Sequence, residues 1–79
     1  MSSRTPLRIA VAGLGAVGMA VVAALEKGLP GCELAAVSAR DIEGAKTRLS
    51  DVTSRDVPVV PVEALEPLAD IVVEAAPAA

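Results

Sequence analysis

The sequence predicts an α/β domain built on a parallel sheet, and three observations predict it. Short apolar runs alternate along the chain with segments whose apolar residues recur at helical spacing. The connections are short, as where a helix carries the chain from one parallel strand to the next. Between the first run and the first helical segment lie three glycines, at positions 13, 15 and 18. The expected order is βαβαβαβ. The crossovers are expected to be right-handed, and with the strand order 3-2-1-4 the switch point lies between the first strand and the fourth.

Residues 1–6 form a polar lead-in, and Leu7–Ala12 reads as a buried strand ended by Gly13. From Ala16 the period changes: Val17, Ala20, Val21, Ala24 and Leu25 fall on one face of a helix. Gly28-Leu29-Pro30-Gly31 supplies its stop. Glu33–Ser38 suits a second strand. Asp41 is a candidate N-cap for a helix over Ile42–Leu49, which Gly44 weakens. Residues 50–56 are polar loop. Val57–Val60 is expected as a third strand, at an edge because Pro58 and Pro61 bracket it. Val62–Leu68 reads as a brief helix, and Asp70–Glu74 as the fourth strand.

Composition narrows the function classes. The chain has 79 residues, 53% hydrophobic, with no Phe, Tyr or Trp. Its apolar mass of Ala, Val, Leu and Ile suits packed parallel strands. Seven basic and ten acidic residues give a net charge of −3, and the basic ones are scattered. Without a basic patch or aromatic stacking platforms, a nucleic-acid surface is not expected. Cys32 is the single cysteine, so no internal disulfide forms, which fits a reducing cytoplasm. With no histidine, a zinc site lacks its usual ligands.

Gly13-Leu14-Gly15-Ala16-Val17-Gly18 matches G-x-G-x-x-G. The first glycine permits the tight turn, the second lets backbone approach a pyrophosphate, and the third lets helix and strand pack closely. N–H groups near Ala16 and Val17 then face the phosphates, aided by the helix dipole. The motif opens a Rossmann-like sheet here, so the expected cofactor is NAD or NADP. The uncharged run from Ile9 to Leu25, after Arg4 and Arg8, also has the length of a membrane anchor. Glycines at its centre and the continuing α/β pattern argue for strand, turn and helix instead, so no membrane partner is expected. An adenosyl site of methyltransferase type is disfavoured by the third glycine and by the lack of an acidic strand end before Gly13.

At the tip of the second strand, Ser38, Ala39 and Arg40 stand where an NAD site usually carries an acid for the ribose. Arg40 is placed to meet a 2′-phosphate or is a solvated surface charge. Asp41 holds the ribose or caps the helix. The combination suggests a site that tolerates NADP and accepts both cofactors. Glu74 ends its strand at the switch point, either acting in the site or marking the strand's end. The small residues after it leave room for a nicotinamide ring.

The stretches RIAVAGLGAVGMAVVAAL, GLPGCELAAVSARD and DIVVEAAPAA together resemble the amino-terminal half of the aspartate dehydrogenase family. More distantly they are similar to the nucleotide domains of homoserine dehydrogenase and sugar-oxidoreductase-type enzymes. The resemblance implies an oxidoreductase that oxidises L-aspartate to iminoaspartate with NAD(P). On its motifs, Gly13, Leu14, Gly15, Ala16, Val17 and Gly18 match the phosphate loop. Ser38, Ala39 and Arg40 match the ribose tip, and Ala75 and Ala76 the nicotinamide side. The family has a second domain that binds the small-molecule substrate and supplies a catalytic histidine. Residues 7–79 are therefore expected to be a truncated dinucleotide-binding domain, inactive alone, with no catalytic residue of its own. The sheet face left uncovered beside the fourth strand predicts self-association or packing against a missing remainder. A non-catalytic NAD(P)-binding or assembly module is the other reading. A downstream α/β segment containing a histidine would favour the enzyme, and a stop codon near Ala79 the module.

Overall fold

A computed structural model of the chain describes residues 6–53 and 56–75. Its elements run β1 (Leu7–Ala12), α1 (Ala16–Gly28), β2 (Cys32–Ser38), α2 (Ile42–Ser50), two 3-10 turns (Val62–Ala64 and Glu66–Leu68) and β3 (Ile71–Glu74). Among the described residues the sheet has three strands in the order β2-β1-β3, all parallel. Ala10 and Val11 stand beside Ala36 and Val37 on one side and beside Val72 and Val73 on the other. The β1–β2 register shifts between Ile9 and Ala10, so Ala35 is the extra residue of a bulge.

The expected third strand over Val57–Val60 is not formed. Val59 makes one isolated parallel bridge to Val37, in which the Val37 N–H donates to the Pro58 carbonyl (3.0 Å) and the Val60 N–H to the Val37 carbonyl (2.9 Å). The next ladder bond toward the N-terminus would need an N–H on Pro58, which proline lacks. The four-strand order 3-2-1-4 is correspondingly reduced to three strands.

The expected helix over Val62–Leu68 is likewise two 3-10 turns. An α-helix there would require Pro67 to donate to the Glu63 carbonyl. The chain instead closes tighter bonds, from Ala64 to Pro61, Leu65 to Val62 and Leu68 to Leu65. Leu65, at the junction, is fully buried.

Alternation along the strands divides the core in two. Ile9, Val11, Leu34 and Val37 pack with Val22 and Leu25 of α1 and with Ala45 and Leu49 of α2. On the other face Ala10, Ala12 and Ala36 pack with Leu65. The first two helices thus share one face, as their right-handed winding requires. The second face is more thinly covered: Val72 is 38% exposed and Leu68 39%.

The buried face of α1 differs from the expected one by about one residue. Gly18, Val22 and Leu25 are buried, with Val21 half-buried, whereas Val17 is 65% exposed and Ala20 and Ala24 face outward. Gly18 sets this rotation, because only a residue without a side chain fits against Gly13 and Val11. No helix among the described residues is long and apolar enough to cross a membrane.

Candidate dinucleotide site

The site assembles at the carboxyl ends of the three strands. Ala12 and Gly13 from β1, Ser38, Ala39 and Arg40 from β2, and Glu74 from β3 line one cleft of about 280 Å³, with Val62 contributing from the first 3-10 turn. In open parallel sheets ligands sit outside these strand ends. Backbone bonds hold the rims together. The Gly13 N–H donates to the Ser38 carbonyl at 2.9 Å, and the Ala75 N–H to the Ala12 carbonyl at 2.8 Å.

The three loop glycines have three different physical grounds. Gly13 has φ +100°, a conformation that other residues rarely adopt. Gly18 is a matter of packing: a Cβ there would run into the Gly13 carbonyl oxygen and come within 3.0 Å of the carbonyl carbon. Gly15 is required by neither. Its φ of −80° suits any residue, and a Cβ on it would meet nothing within 4 Å.

Gly15 is also the N-cap of α1, and it provides no side-chain cap. The helix has no acidic residue in its first turn, and the Met19 N–H makes its first backbone bond, to the Gly15 carbonyl at 2.9 Å. The second helix is finished differently. Asp41 caps α2, its Oδ1 accepting from the Gly44 N–H at 3.0 Å, and Glu43 lies in the first turn. Asp41 is therefore the helix cap. Gly44 gives it room, since a Cβ there would press on the Asp41 carboxylate. The start of α1 has neither such a cap nor an acidic first turn, and a helix start of that kind suits an anion.

The other expected residues divide in their placement. Gly15, Ala16 and Val17 are exposed at the helix start, while the Leu14 side chain turns into the core. Ser38 is buried at the cleft wall, Ala39 half-buried and Arg40 exposed. Ala75 is half-buried against the core beneath the site. Ala76 lies outside the described residues. Ala12 and Val62 line the cleft as well, beyond the residues that the motifs mark. Ala12 is readable as the residue before Gly13, whereas Val62 reaches the cleft only through the 3-10 turn.

The family model for the NAD binding domain of homoserine dehydrogenase matches residues 13–79. The chain is 50% identical over 80 residues to L-aspartate dehydrogenase 3 of Bordetella bronchiseptica, a match covering all of this chain and 29% of that protein. It is 41% identical over 76 residues to L-aspartate dehydrogenase of Bradyrhizobium diazoefficiens, covering 96% of this chain and 26% of the relative. The chain thus spans less than a third of the length of these curated relatives.

Proposed function

The chain belongs to the homoserine dehydrogenase NAD-binding domain family, and on that premise we propose that it is the NAD(P)-holding part of an amino-acid dehydrogenase acting on L-aspartate. The observation that carries the cofactor reading is Gly15. Neither backbone conformation nor packing requires a glycine there, and a serine or aspartate would cap the helix better by a few tenths of a kcal/mol. A ligand that must approach the backbone closely supplies the missing reason.

In this reading the backbone donors of Gly15, Ala16 and Val17 hold the pyrophosphate. Ser38, Ala39 and Arg40 face the adenosine ribose, with Arg40 accommodating a 2′-phosphate so that both NAD and NADP are accepted. Glu74 and Ala75 border the nicotinamide half. When bound, the cofactor supplies hydride transfer. The chain's own residues bind it, orient it and neutralise its phosphate charge. With no histidine in the chain, proton transfer and substrate binding are assigned to other parts of the full dehydrogenase. L-aspartate as substrate rests on the names of the two relatives.

Calorimetric titration of the intact protein with NAD and NADP, alongside Gly15→Val, tests this. Binding that the valine abolishes is the expected result. Absence of binding to either dinucleotide, or a valine variant that binds as wild type, would remove the reading.

A further inference from the structure

Arg48 stands in the last turn of α2, and its Nη1 donates to the Leu14 carbonyl oxygen at 3.3 Å, across 34 residues of sequence. Leu14 lies inside the glycine loop, between Gly13 at φ +100° and the N-cap Gly15. Its side chain is buried in the same cluster as Leu49, the residue next to Arg48. The loop is therefore tied to α2 by a charged hydrogen bond and shares an apolar core with it.

We propose that Arg48 is a positioning residue for the phosphate loop and the second cationic determinant, beside Arg40, of affinity for the cofactor's phosphates. This role rests on the dinucleotide reading of the site. Peptide geometry supports it first. A trans peptide points its carbonyl and the following N–H in opposite directions. Holding the Leu14 carbonyl toward α2 thus fixes the Gly15 N–H away from α2, and this donor belongs to the glycine that neither fold nor packing requires. This peptide turns about Leu14 ψ and Gly15 φ, and the glycine on one side leaves it more freedom to rotate without the Arg48 bond.

Charge supports it independently. The chain carries a net −3, and Glu74 brings a carboxylate to the cleft. A permanently charged guanidinium bonded to the loop backbone offsets that field where an anion would be held.

The test compares wild type, Arg48→Met and Arg48→Lys in the intact protein, with NADH, ADP and adenosine as probes and a thermal melt of each variant. Arg48→Met is expected to weaken NADH and ADP by about tenfold, the order of a charge-assisted hydrogen bond, and to leave adenosine unchanged. Its Kd for NADH should also depend less steeply on salt, because a screened charge has been removed. Arg48→Lys should recover most of the affinity. A merely structural arginine would lower the melting temperature and weaken all three probes alike, without changing the salt dependence. That pattern, or an NADH Kd in Arg48→Met within twofold of wild type, would overturn the proposal. If wild type binds neither NADH nor ADP, the dinucleotide reading falls and takes this inference with it. Binding lost in Gly15→Val but kept in Arg48→Met removes the inference alone.

Discussion

Arg8 and Asp70, 62 residues apart, are joined by backbone and side chain together. The Asp70 N–H donates to the Arg8 carbonyl at 2.8 Å, the Arg8 N–H donates to Asp70 Oδ2 at 2.9 Å, and the Arg8 guanidinium lies 3.6 Å from Oδ1. The pair closes the amino-terminal end of the β1–β3 ladder, at the opposite end of the strands from the cleft. It sets the register in which Ala12 stands beside Glu74.

This contact should make stability acid-sensitive. The Arg8 backbone N–H, followed by its guanidinium, holds the Asp70 carboxyl below its ordinary value of 3.8. A depressed carboxyl contributes stability above its unfolded value and loses it as pH falls through the folded one. Thermal melts should therefore fall off below about pH 4, and Asp70→Asn should flatten that decline while lowering the melting temperature at neutral pH. An asparagine variant with the acid profile of wild type would show that the pair does not clamp the strand.

Two glycines of one loop should respond in opposite senses. Gly18→Ala drives a Cβ into the Gly13 carbonyl, and backbone cannot yield as a side chain can, so a loss of about 3 kcal/mol is expected. Gly15→Ser should leave stability unchanged or raise it by a few tenths of a kcal/mol, because serine is a good N-cap. The same serine should weaken dinucleotide binding. Denaturant titration and calorimetry on both variants check this; a Gly15→Ser protein that binds as wild type would contradict it.

Arg40 is exposed at the cleft wall, where it would meet a 2′-phosphate. Arg40→Ala should weaken NADP by about tenfold, the range of hydrogen bonds to charged groups, and move NAD by less than twofold. Equal losses for the two cofactors would assign Arg40 to the shared pyrophosphate instead.

The 79-residue chain, expressed alone, should self-associate. Ile71 is 46% exposed, Val72 38%, Leu68 39% and Val62 59%, leaving apolar surface on and beside the last strand that contact between copies would cover. Sedimentation velocity across a concentration series reads this directly. A monomer at all concentrations with a cooperative melt would count against it.

Much of this architecture is written locally. The span of β1, the start of α1, the Asp41 cap and the tip of β2 each follow from a few adjacent residues. The features that are not legible depend on partners distant in sequence. Val57–Val60 has the composition of a strand, but the ladder fails on one missing N–H at Pro58, and that matters only once the pairing with Val37 is known. The face of α1 departs from expectation because its most apolar stripe includes Val17, whereas the contact is set by the residue with no side chain, Gly18. Within the site, the glycine spacing points to the loop and the strand order to the meeting of Gly13 with Glu74. The bond from Arg48 to Leu14 leaves no local trace, since nothing around position 48 marks an arginine as reaching the loop.

Pro61, just past the bridge beside β2, lies along one margin of the sheet, where its missing N–H removes an outward donor on which another strand could be templated. The β3 margin carries no such block: Ile71–Glu74 is an unbroken run without proline. The two margins of this sheet therefore differ. The backbone offered to an added strand at the side of Glu74 is thus the more regular of the two.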